Sequence, residues 1–215
     1  MAKTKKYYTT PEGIFSYPYL LKPDMGNDKF TADPAFKVDL RLSVEDAAGM
    51  MELLNKAADA GVAQAKKNAK TPADAKKVKR MPPYELELDE AGEETGMVTF
   101  KFRMAETVKA GKTWDAFTQK PAVYDKKGKF EGDAIFGGTK GLVNYWINVY
   151  DLPPKKQDDV PAKGGASLKL RAVQITELVA GGLTAESCGF ELDNTEEPPF
   201  EADAGGSDDE ENEDF

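Results

Sequence analysis

Three segments of this chain carry pairs of cations at even spacing: Lys37 with Arg41, Lys101 with Arg103, and Lys169 with Arg171. In an extended strand, residues an even number apart share a face. Each pair therefore puts two positive charges on one surface. Aromatic residues stand near them in sequence: Tyr17, Tyr19, Trp114, Tyr145, Trp146 and Tyr150. An unpaired polynucleotide calls for this mixture, because cations follow its phosphates and rings stack on its exposed bases at about 1–3 kcal/mol each. Lys22 and Lys140 extend the cationic set. A plainer reading makes the lysines solvated strand residues and the rings core, and spacing alone leaves both open.

Other chemistry is poorly served. The chain has no histidine and one cysteine, Cys188. That excludes Ser-His-Asp and Cys-His catalysis, an internal disulfide and the usual zinc sites. Glu85, Glu87 and Asp89, with Glu93 and Glu94 in the following turn, could suggest a carboxylate-held metal pair of a nuclease. Solvation of an edge strand explains them more simply. Gly137-Gly138-Thr139-Lys140-Gly141 resembles a phosphate cradle but lacks the Walker spacing, and a strand rather than a helix follows it. A tight turn with Lys140 touching a polyanion backbone fits better. No cofactor or metal is expected, and no enzyme activity.

The net charge of -9 has to be divided to be understood. From Glu186 to Phe215 there are 13 acidic residues and no lysine or arginine, which leaves 29 basic and 25 acidic residues before it, a net of +4. A mildly basic body thus carries a strongly acidic tail, a pattern of polyanion binders and interaction tails. No apolar run approaches the ~20 residues of a membrane helix. The basic start, Met1 to Lys6, runs into Tyr7-Tyr8-Thr9-Thr10-Pro11 without an apolar stretch, so no secretory signal is expected.

The elements that would position these residues read as short strands and one helix. Ile14–Leu21 is extended, and Lys22–Asp28 is dense in turn formers. Phe36, Val38, Leu40 and Leu42 alternate with polar residues as a half-buried strand. Ser43 opens a helix with Asp46 three residues on; Val44, Ala47, Met51, Leu54, Ala58 and Val62 give it an apolar stripe, and Thr71-Pro72 ends it. Eight lysines and arginines lie between Lys56 and Arg80, either a solvated face or a phosphate-binding one. Tyr84, Leu86 and Leu88 alternate with acids and pair as a hairpin with Val98, Phe100, Phe102 and Met104. Pro121–Asp125 is a short strand, Leu142–Tyr150 the longest, and Ala166–Leu178 the last. The spacing predicts a small β-barrel with one long helix between strands over residues 1–185. Residues 186–215 read as a disordered tail, too charged and too poor in apolar groups to offset the entropy of ordering.

In order and spacing, these segments resemble the single-stranded-DNA-binding proteins of lytic phages that replicate with a phage-encoded polymerase. The resemblance runs through Tyr17-Pro18-Tyr19, Lys22-Pro23-Asp24-Met25-Gly26-Asn27, Phe36-Lys37-Val38-Asp39-Leu40, Thr99-Phe100-Lys101-Phe102, Gly137-Gly138-Thr139-Lys140 and Gly165-Ala166-Ser167-Leu168-Lys169-Leu170. It closes on the tail, where Asp208, Asp209, Glu210, Glu211, Glu213 and Asp214 precede a terminal Phe215. It implies an OB fold and sequence-tolerant binding of single strands in phage DNA replication, recombination and repair, inside the infected bacterium. It further implies a tail that contacts phage DNA polymerase and helicase-primase and competes with DNA, and members that form homodimers. The stretch between Asn27 and Phe36 is shorter than in better-known relatives, and Pro72–Pro83 is this chain's own. The competing reading is an acidic-tailed interaction protein that mimics nucleic acid and binds none itself.

Overall fold

Strict alternation builds the centre of the sheet. In β3 (Ala35–Ser43), Phe36, Val38, Leu40 and Leu42 point inward, none more than 3% exposed, while Lys37, Asp39 and Arg41 point out. β6 (Glu94–Ala105) repeats the pattern with Val98, Phe100 and Phe102 inside and Thr99, Lys101 and Arg103 outside. The two pair antiparallel from Ala35–Ala105 to Ser43–Met97 with no slip, as expected when one face is buried and a one-residue shift would invert it.

In this computed structural model, the described residues are 5–26, 33–112, 115–132, 134–154 and 160–179. They belong to one unit, Met1–Gly181. Trp114 and the acidic tail fall outside them. In chain order the elements begin with β1 (Tyr7–Thr9), β2 (Gly13–Asp24), β3, α1 (Val44–Lys67), α2 (Pro72–Lys76), β4 (Lys79–Arg80), β5 (Glu85–Leu88) and β6. β7 (Thr107–Val108), β8 (Phe117–Thr118), β9 (Ala122–Asp125), β10 (Gly128–Lys129), β11 (Lys140–Leu152) and β12 (Lys163–Glu177) follow. β12, not β11, is the longest strand, at 15 residues. Lys22–Asp24, expected in a turn, continue β2 instead, with Asp24 opposite Ala35.

Five strands close on themselves in the order β11–β2–β3–β6–β12–β11. Every contact in the ring is antiparallel except β6 with β12, which is parallel. Closure leaves the ring no free edge. The Gly137–Lys140 turn secures it: Gly138 adopts φ 91°, its N–H donates to the Phe15 carbonyl, and the Phe15 N–H donates to the Thr139 carbonyl at 2.8 Å. Thr139 is fully buried, and its hydroxyl accepts from the Val179 N–H. This loop is a structural clasp.

α1 caps the barrel. Ser43 accepts from the Asp46 N–H, Glu45 and Asp46 complement the positive helix start, and Lys66 and Lys67 the negative end. The buried line is Ala47, Met50, Leu54, Ala58, Gly61 and Ala65. Val44, Met51 and Val62, expected on that stripe, are only half-buried at its margin. The line is displaced because Gly61 lets the helix press onto Gly164 and Gly165 of β12: a Cβ on Gly61 would lie 2.4 Å from the Gly165 carbonyl oxygen. A hydropathy count cannot see a contact made by a missing side chain.

Candidate nucleic-acid interface

β12 carries Lys169 between the inward Leu168 and Leu170, so its ammonium faces out. Its register partners on the two flanking strands are Trp146 of β11 and Arg103 of β6. Trp146 in turn pairs with Tyr7 of β1; Arg103 pairs with Lys37 of β3, and Lys37 with Tyr19 of β2. Directly paired residues project from the same side of a sheet. Tyr7, Trp146, Lys169, Arg103, Lys37 and Tyr19 therefore form one outward band across six strands. At about 4.8 Å per strand its contour is about 24 Å. Three cations stand in the middle and rings at both ends.

The electrostatics of the centre favour an incoming anion. Among the described residues neither Arg103 nor Lys169 has a carboxylate ion pair; one Arg103 Nη donates to the Asp33 carbonyl at 3.1 Å, which leaves most of its N–H groups to spare. Partial burial, and then the like charge of Arg103, hold the Lys169 ammonium below the ordinary lysine range. A phosphate between the two would relieve that repulsion. The bound state would hold more protons than the free state, so affinity should fall as pH rises through the depressed Lys169 pKa. In Lys169→Arg, whose guanidinium stays charged, binding titrations across the alkaline range should lose that fall.

Lys37 is held by Asp24 at 2.5 Å and lies 4.8 Å from the Tyr19 ring centroid. At the other end Lys5 lies 4.4 Å from the centre of the Trp146 ring, and Arg171 4.2 Å from that of Tyr7. Arg171 also donates to Asn144. These contacts hold rings and cations in place before a ligand arrives.

Tyr17 sits beside the band rather than in it. Between Ser16 and Tyr19, β2 holds three steps against two in β3, a bulge at Tyr17-Pro18. Tyr17 takes φ 48° there and is 71% exposed. A tyrosine in left-handed backbone costs about 1–3 kcal/mol, a strain found mostly where a side chain must be presented.

Other expected residues lie elsewhere. Tyr145 is 2% exposed and packs in the core against Tyr8 and Phe102; burial pushes its hydroxyl up to about 12. It does not face a ligand, because it continues the inward line of Val143 along β11, while Trp146 shares the outer face with Asn144. Tyr150 is half-buried, its hydroxyl over Gly165 near Met81, and burial raises its pKa. Tyr145 is thus corrected from a stacking candidate to a core residue, while Tyr150 stays on the outer face, four residues along β11 from Trp146. Lys140 pairs with Glu177 at 2.7 Å, near Ile14 and six residues along β11 from Trp146. Lys22 is exposed beside Pro23, Phe36 and Gln119, off the band. Arg41 and Lys101 share the outer face of the band but are engaged by Glu87 and Glu85. Trp114 and the tail residues Asp208–Phe215 lie outside the described residues. Tyr7 and Lys5 were not anticipated: a three-residue strand has too short an alternation to announce itself, and only pairing with β11 brings it to the band.

The family model for the single-stranded DNA-binding protein of bacteriophage T7 matches residues 13–178. The single-stranded DNA-binding protein of Enterobacteria phage T3 is 31% identical over 188 residues, covering 83% of this chain and 78% of the relative. That of Escherichia phage T7 matches with the same identity and coverage. The crystal structure of gp2.5, a single-stranded DNA-binding protein encoded by bacteriophage T7, superposes with a TM-score of 0.61 at 26% identity, over 89% of this chain and 97% of that one. With the family match spanning most of the barrel, this chain belongs to the family of the bacteriophage T7 single-stranded DNA-binding protein.

Proposed function

We propose that this chain binds single-stranded DNA without sequence preference during phage replication, recombination and repair, and acts as a binder rather than an enzyme. The observation that carries this reading is the band Tyr7–Trp146–Lys169–Arg103–Lys37–Tyr19, cationic in the middle and aromatic at the ends. Such binding is sequence-tolerant because rings and phosphate-binding cations use what every nucleotide has, a base face to stack and a phosphate. The five-strand ring with one parallel contact supports an OB-type barrel, and α1 is the helix inserted between its strands. The acidic tail ending in Phe215 would recruit the phage DNA polymerase and helicase-primase, its charge and terminal ring offering a basic, apolar groove an anchor.

Salt-titrated binding to oligo-dT tests the reading. With about five phosphates neutralised, log affinity should fall against log salt with a slope of about -3.5. A slope near zero, or equal binding of duplex and single strands, would overturn it.

A further inference from the structure

Beside the band, the same outer face carries a second group of cations already occupied by the protein's own carboxylates. Arg41 donates to Glu87 through two nitrogens, at 2.6 and 2.8 Å, the two-pronged geometry in which arginine also grips phosphate. Lys101 donates to Glu85 at 2.7 Å, and that contact, more than anything else, raises its pKa. Both acids sit on β5, which pairs with β6 at Glu85–Thr99 and Leu86–Val98, on the edge of β6 that β12 occupies farther along at Arg103. Lys101 is two residues and Thr99 four residues from Arg103, so the acids lie about 7–14 Å to one side of the band.

Resting on the function proposed above, we propose that Glu85 and Glu87 are specificity determinants that exclude a second DNA strand. They take the places of phosphates on Arg41 and Lys101, so that two cations beside the path of the bound strand are already neutralised. A single strand on Arg103 and Lys169, which among the described residues have no carboxylate ion pair, does not meet them. The second backbone of a duplex, across a groove about 6–12 Å wide, does. At 7–14 Å the acids stand about one to two Debye lengths from the band at physiological salt, so their field on the strand bound there is largely screened. Masking of this kind withholds contacts from the wrong partner and leaves those of the right one in place. Both acids are partly solvent-exposed, so replacing them should leave the core intact.

The experiment compares oligo-dT with a blunt duplex of equal length by fluorescence anisotropy, using the full-length chain and Glu85→Gln/Glu87→Gln. The variant should bind duplex tenfold or more tightly and the single strand less than threefold more tightly. Its duplex salt slope should steepen by about 1.8, for two more released counterions. Adding Arg41→Ala/Lys101→Ala should erase the gain, because freed cations cause it. Glu93→Gln/Glu94→Gln, which changes net charge equally at the exposed end of the β5–β6 hairpin, should not reproduce it. Unchanged duplex binding, equal gains for both DNAs, a gain that survives loss of Arg41 and Lys101, or an equal gain in the hairpin-end variant would each overturn the proposal. A wild-type chain that fails to bind oligo-dT would instead sink the function proposed above.

Discussion

Replacing Arg103 and Lys169 together by alanine is expected to weaken binding of oligo-dT by about 100-fold or more while leaving the fold intact. The two cations are register neighbours at the centre of the band, and among the described residues neither has a carboxylate ion pair. A charge-assisted hydrogen bond to phosphate contributes about 1.5–3 kcal/mol, so two lost together cost about 3–6 kcal/mol, or about two to four decades in affinity. The salt slope should become shallower by about 1.4, for two counterions no longer released from a single strand. Stability should hardly move, since both side chains point outward and the like-charge repulsion that depresses Lys169 disappears with them. A loss under threefold with an unchanged slope would show that phosphates travel elsewhere on the barrel.

The second large effect concerns the scaffold under Lys169. Glycine inside a helix costs about 1 kcal/mol relative to alanine, so propensity alone makes Gly49→Ala and Gly61→Ala equally stabilising. The structure separates them. A Cβ on Gly49 meets nothing within 4 Å, and that substitution should stabilise by about 0.5–1 kcal/mol. A Cβ on Gly61 would lie 2.4 and 2.6 Å from the Gly165 carbonyl oxygen and nitrogen, backbone atoms that cannot rotate away. Lifting α1 from β12 also loosens Ala58 and Leu54, so Gly61→Ala should destabilise by about 2–3 kcal/mol. Urea midpoints of the two variants measure this, and midpoints shifting in the same direction would contradict the close helix–strand approach. Because β12 carries Lys169 and Arg171 as well as Gly164 and Gly165, the Gly61 variant should also bind DNA less well.

The strands that build the ring were legible because their burial is one-sided. Phe36 to Leu42 and Val98 to Met104 alternate with a period of two, and each alternation states which face turns inward. The same logic failed in β12 and β2. Opposite Asn144 and Tyr145 a bulge at Arg171 shifts the inward residues of β12 from Leu168 and Leu170 to Val173 and Ile175. A bulge at Tyr17 likewise breaks the count in β2. Bulges arise from how two strands pair, and one strand's residue order does not reveal them.

Charge behaved the same way. That Lys37, Arg41, Lys101, Arg103, Lys169 and Arg171 point outward follows from their neighbours in the chain. Which of them remain available depends on what lies across the sheet. Glu85 and Glu87 claim Lys101 and Arg41 from 16 and 46 residues away, whereas Arg103 and Lys169 meet each other.

The amino-acid order by itself determined the element types, the one-sided strand faces, the helix cap at Ser43 and the separation of a basic body from an acidic end, because each depends on residues within a few positions of one another. The tertiary structure alone decided the ring order, the band from Tyr7 to Tyr19, and the carboxylates that occupy Arg41 and Lys101. Those depend on register between strands up to 139 residues apart, such as Tyr7 with Trp146. Register is set by the packing of the whole core and is a property of no single segment.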